Sequence, residues 1–111
     1  MQRSVVVLLF AGTALAAVGQ VLFKLGATGR VSAASFVNPA ILAGLACYGL
    51  GTLAWIYSLS KAPLTNVYPF TALTFVIVYL AGVFFLGEPS SLRGWSGIAL
   101  VLAGLYLMTA S

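Results

Sequence analysis

The sequence predicts an all-α polytopic membrane protein with four transmembrane helices and both termini on the same side of the bilayer. Three observations lead there. Apolar residues fill 62% of the 111 positions and charged residues only 5%, whereas a water-soluble domain carries about 25% charged residues. A hydrocarbon core about 30 Å thick requires roughly 20 apolar residues of helix, and four such stretches are present, at 4–25, 39–60, 65–86 and 92–109. Only short polar or Gly- and Pro-containing breaks separate them, so 1–111 reads as a single four-helix transmembrane domain.

The first span is entered behind Arg3 and closed by Lys24, with Gly26 and Gly29 loosening the chain beyond it. Its start resembles a signal peptide, but the apolar run continues past Ala14-Leu15-Ala16 to Phe23, which fits a retained helix. The longest connection, 27–38, is small and polar, and Pro39 suits the first turn of the second helix. Lys61-Ala62-Pro63 is a turn too short to cross a bilayer, so the third span is expected to return as an antiparallel neighbour of the second, with Pro69 in its first turns. Gly87-Glu88-Pro89-Ser90-Ser91 supplies a helix stop and two serine N-cap candidates for the fourth span.

Lysine and arginine in the connections give little topological bias. Arg3 and Lys61 fall on the amino-terminal side, against Lys24, Arg30 and Arg93 on the other. A chain so balanced is compatible with insertion both ways as an antiparallel dimer, or with orientation by a partner subunit.

Polar groups inside the spans indicate where function lies, because each costs several kcal/mol in hydrocarbon unless it faces a cavity or a partner. Gln20 and Lys24 are four apart and share a helix face. Lys24 and Glu88 end spans that leave on the same side and are expected to meet. With Arg30 and Arg93 they make a net positive rim, suited to an anionic headgroup such as a phosphate; a structural ion pair and snorkelling to ordinary anionic lipid are the alternatives. Trp55, Tyr57 and Tyr68 gather at the turn between spans two and three, where rings form an interfacial belt; Tyr68, next to Pro69, is also placed to line a cavity with Gln20. Gly97, Val101 and Gly104 share one face of span four and allow close approach of a second subunit. Ala43, Cys47 and Gly51 make a comparable stripe on span two.

The whole chain resembles the small four-helix members of the drug/metabolite transporter superfamily. Within it the chain is most similar to the small subunits of flippases for undecaprenyl-phosphate-linked 4-amino-4-deoxy-L-arabinose. The matching segments are Val18-Gly19-Gln20 with Lys24, Leu45-Ala46-Cys47 with Gly49-Leu50 and Trp55, Pro63 with Val67-Tyr68-Pro69, and Glu88-Pro89 with Trp95 and Gly97. The resemblance implies a bacterial inner-membrane subunit, paired with a copy of itself or a paralogue, that moves a polyprenyl-phosphate-linked sugar between leaflets. Gln20, Tyr68, Thr71 and Thr74 would then hydrogen-bond the sugar, Lys24 would neutralise the phosphate with Arg30 or Arg93, and Glu88 would pair with Lys24 or couple a proton gradient. Small multidrug resistance antiporters are also similar, including the Gly97-to-Gly104 contact, but the position of their membrane-embedded glutamate matches Ala16 here.

Other classes of function are disfavoured by composition. There is no histidine, one acidic residue and one cysteine, Cys47, so neither a metal centre nor a catalytic constellation is expected. No nucleotide-binding loop is present. No cofactor is expected, and the net charge of +4, scattered over helix ends, suits membrane lipids rather than nucleic acid. A cation/proton antiporter and a non-transporting accessory subunit are the alternative readings.

Overall fold

The computed structural model describes residues 3–110; Met1, Gln2 and Ser111, inside the predicted domain, lie outside the described residues. The elements are α1 (Arg3–Ala27), α2 (Pro39–Lys61), α3 (Leu64–Val67), α4 (Phe70–Phe84) and α5 (Leu92–Ala110). α3 and α4 form one interrupted span. The stretches Arg3–Ala27, Pro39–Lys61, Leu64–Phe84 and Leu92–Thr109 are each long and apolar enough to cross a bilayer, which makes this a multi-pass membrane protein.

Local chemistry sets the helix ends. Asn38 accepts the Ile41 N–H on its side-chain oxygen at 3.1 Å, and Pro39 takes the first turn of α2. The same Asn38 donates from Nδ2 to the Gly26 carbonyl at 3.0 Å and the Ser35 carbonyl at 3.1 Å, tying the end of α1 to the start of α2. Between them lies one 3₁₀ turn, Ala33–Phe36. Ser91, one of the two predicted caps, accepts the Gly94 N–H at 3.1 Å and opens α5. Pro69 has no N–H to continue the hydrogen-bond ladder, and the third span breaks at Tyr68-Pro69.

The helices stand in a row, α2–α1–α4–α5, rather than closing into a bundle. The molecule is only 18 Å through its thinnest dimension, less than two helix diameters of about 10–12 Å. The short Lys61-Ala62-Pro63 turn makes the third span a predicted neighbour of the second, and here the structure differs. Only α3 packs on α2; after the break at Tyr68-Pro69, α4 packs along α1. Phe10 meets Phe70 edge-on at 5.5 Å at one end, and Lys24 meets Glu88 at the other, so α1 and α4 run parallel.

The tightest packing is the α1–α2 crossing. A Cβ at Gly51 would come within 2.9 Å of the Gly12 carbonyl oxygen, and one at Gly44 within 3.0 Å of the Gly19 carbonyl oxygen and 2.8 Å of the Phe23 ring. Missing side chains let the backbones touch, which supplies the van der Waals contact that lipid otherwise competes for. The contact stripe is therefore Gly44, Tyr48 and Gly51, one position round from the predicted Ala43 and Cys47. Ala43 is exposed and Cys47 half-buried; of the predicted three, only Gly51 is in the crossing. Val5 and Leu9 of α1 pack with Val67 and Phe70 beside Trp55 and Leu73, forming the small core that anchors α3. The buried hydroxyls of Thr13 and Ser58 bond to carbonyls of their own helices, Leu9 at 2.7 Å and Ala54 at 2.9 Å.

α5 is held differently. Trp95 packs edge-on against Tyr79 at 5.4 Å and tilted against Phe84 at 6.1 Å, close to the α4–α5 connection. None of residues 92–109 is buried. Nothing lies within 4 Å of a Cβ placed at Gly97 or Gly104, so the predicted Gly97, Val101 and Gly104 face is not consumed by packing inside the subunit.

Candidate transport groove

Because α2 and α4 both lean on α1 and barely touch each other, a cleft opens between them with α1 as its floor. Its first part is a cavity of about 500 Å³. α1 contributes Thr13, Ala16 and Gln20, α2 contributes Tyr48, Thr52 and Trp55, and the third span contributes Tyr68, Thr71, Thr74 and Phe75. A second cavity of about 530 Å³ continues along α4 past Tyr79 to Glu88 and Pro89. Gln20, Thr74 and Phe75 line both, so the two are one groove with Gln20 near its middle.

The polar groups along and behind this groove are in two states. Thr13 and Ser58 are buried and bonded within their own helices, and the exposed Thr52 hydroxyl donates to the Tyr48 carbonyl at 2.9 Å. The side chains of Gln20, Thr71 and Thr74 have no hydrogen-bond partner among the described residues. Such groups in a membrane-spanning segment require water or a ligand, because hydrocarbon satisfies none of them. Donors and acceptors on α1 and α4 thus converge on a space that is otherwise lined by rings and aliphatic groups.

The two ends differ in chemistry. At one, Trp55 and Tyr68 stack edge-on at 6.5 Å, and Lys61 lies 5.6 Å over the Tyr57 ring. At the other, Lys24 Nζ stands 4.0 Å from Glu88 Oε2, the two side chains 58% and 47% exposed. An ion pair this open contributes at most about 1 kcal/mol to the fold, so it yields readily to a competing ligand. Glu88 is aimed at α1 by the turn before it. Gly87 adopts φ +69°, a conformation that favours glycine, and the Glu88 N–H donates to the Gly82 carbonyl at 3.0 Å.

A model of the EamA-like transporter family matches residues 2–110. The chain belongs to that family. Among curated proteins it is similar to the probable 4-amino-4-deoxy-L-arabinose-phosphoundecaprenol flippase subunit ArnE of Yersinia pestis (strain Pestoides F), 43% identical over 61 residues that cover 55% of this chain and 54% of the relative. The probable subunit of the same name from Pseudomonas syringae pv. syringae (strain B728a) is 40% identical over 62 residues, 56% of this chain and 57% of the relative. The chain thus spans about half the length of the curated relatives it matches. No solved structure matches it.

Within this EamA-like chain the predicted site residues divide into three groups. Gln20, Tyr68, Thr71 and Thr74 come together in the first cavity, and Glu88 closes the second with Lys24 beside it. Arg30 lines neither cavity; its Nε donates to the Gly26 carbonyl at 3.2 Å, at the carboxyl end of α1. Arg93 is exposed in the first turn of α5, also off the groove. Tyr48 and Thr52 enter the lining without having been singled out in the sequence. They are four apart, with Trp55 three further on, and that shared helical face was the available signal.

Proposed function

We propose that this EamA-like chain is a transporter subunit, not an enzyme, that carries a polyprenyl-phosphate-linked sugar, aminoarabinose by the names of its relatives, across a bacterial inner membrane. The observation that carries this reading is the groove itself: unpartnered polar side chains from α1 and α4 face a lateral opening in a thin row of apolar helices. A lipid-linked sugar needs little more. Its polyprenyl tail stays in the bilayer while its head exchanges water for Gln20, Thr71, Thr74 and Tyr68, and Lys24 supplies the cation for its phosphate. A groove open along its length favours a lipid over a ligand that must be fully enclosed. The open side of the row and the unused Gly97, Val101 and Gly104 face support pairing with a second subunit, a copy of this chain or a paralogue.

A cation/proton antiporter would need a membrane-embedded acid in the cavity, and Ala16 stands on the cavity wall where that acid is expected. Native mass spectrometry of the purified protein, offered undecaprenyl phosphate and a lipophilic drug cation in competition, tests the proposal. Retention of the polyprenyl phosphate, lost in Lys24→Ala with the fold intact, is the expected result. Retention of the cation alone would return the chain to the drug exporters, and unfolding of Lys24→Ala would make the Lys24–Glu88 pair structural.

A further inference from the structure

A phosphate site by itself gives no reason for the position of Glu88. It is the sole acidic side chain of the protein, and a carboxylate beside the binding lysine repels a phosphate and competes with it for the cation. Yet its placement is built into the fold. Gly87 turns the chain back, the Glu88 N–H is anchored on the Gly82 carbonyl, and the carboxylate lies over Gly82, where a Cβ would stand 2.5 Å from its oxygen. The carboxylate lines the same cavity as Gln20 and Thr74, with Lys24 4.0 Å away. The groove therefore ends at an anion, with a cation beside it on the facing element.

That arrangement complements a headgroup bearing both charges. A phosphodiester entering alone would draw Lys24 away and leave Glu88 unpaired at the edge of the membrane. A head that also carries a primary ammonium exchanges the internal pair for two ligand pairs, phosphate on Lys24 and ammonium on Glu88, and every charge keeps a partner. The complex then has no net charge to desolvate as the head moves past Gln20 into the groove. We propose that Glu88 is the specificity-determining residue for the headgroup amine: its carboxylate takes the ammonium while Lys24 takes the phosphate. This rests on the transport reading above and assigns within it what Glu88 recognises.

The test compares two lipids on the full chain, purified with whatever subunits assemble on it: undecaprenyl-phosphate-linked 4-amino-4-deoxyarabinose and its N-acetylated counterpart, which keeps the phosphate and loses the positive charge. Titrations followed by native mass spectrometry should show the wild type preferring the amine lipid about tenfold, equivalent to 1.4 kcal/mol. Glu88→Gln should erase that preference, bringing the two lipids to one affinity by weakening the amine lipid and strengthening the acetylated one, whose phosphate no longer competes for Lys24, while Lys24→Gln weakens both. Equal affinities in the wild type would overturn the inference and leave the transport reading standing, and no variant is needed to see it. A Glu88→Gln loss that falls equally on both lipids would also overturn it. Retention of neither lipid by the wild type would remove the transport reading and this inference together.

Discussion

The α1–α2 and α4–α5 pairs are both antiparallel, sequence-adjacent helix pairs, yet they are held by opposite means. α1 and α2 meet backbone to backbone through Gly12, Gly19, Gly44 and Gly51, and Asn38 bonds across their connected ends. α4 and α5 meet through the rings of Tyr79, Phe84 and Trp95 near one end, and no residue from 92 to 109 is buried. In lipid, apolar area alone does not drive helices together, because hydrocarbon tails cover it equally well. Close approach at glycine makes α1–α2 the rigid half of the subunit. The ring contact leaves α5 an arm whose small-residue face is available to a second subunit, and the groove lies along the boundary between these two halves.

Four substitutions put this contrast to the test. The largest effect is expected at the crossing: Gly44→Leu drives a side chain into the Phe23 ring and the Gly19 carbonyl and should cost about 3 kcal/mol, read as a lowered thermal midpoint in detergent from tryptophan fluorescence. A midpoint close to wild type would mean that the crossing is loose. Trp95→Ala removes both ring contacts of α5 and should cost about 1.5 kcal/mol. Trypsin cleavage after Arg93 should rise in that variant while cleavage after Lys24 does not, since the rigid half is untouched. Asn38→Ala removes the cap of α2 and its bond to Gly26, worth about 1 kcal/mol; a matching fall in the midpoint checks it. The smallest effect on the fold belongs to Gly97→Leu, which meets open space and should shift stability by no more than about 0.5 kcal/mol. The same variant should abolish the proposed pairing in cross-linking. A destabilised subunit with pairing retained would mean that α5 packs inside its own chain.

Part of the candidate site was legible because polarity in a membrane sequence is expensive and therefore meaningful. Gln20 stands out against its apolar neighbours, and Thr71 and Thr74, which the family resemblance supplied, converge with it in the first cavity. Lys24 and Glu88 were expected to meet from the directions of their spans, and they stand 4.0 Å apart. Arg30 and Arg93 show the limit of counting charges at a rim: both sit on the expected side, but helix-end geometry rather than charge decides whether they reach the groove, and neither lines it. The α2 face that crosses α1 lies one position round from the Ala43, Cys47 and Gly51 stripe for a related reason. Helices that are apolar all round have no amphipathic period to mark the inward face, so Ala43 and Gly44 look alike until a partner backbone arrives.

Composition and spacing were enough to determine an all-helical chain with four membrane-spanning stretches, the breaks between them, Pro39 in the first turn of α2 and a serine cap for α5. These come from local chemistry: twenty apolar residues per bilayer, proline without an N–H, serine that accepts one. It took packing in three dimensions to put α4 beside α1 and not α2, to set the helices in a row instead of a bundle, and to bring Tyr48 and Thr52 to the groove wall. Which apolar helix neighbours which depends on where backbones fit closely, and that complementarity exists only between surfaces, in three dimensions.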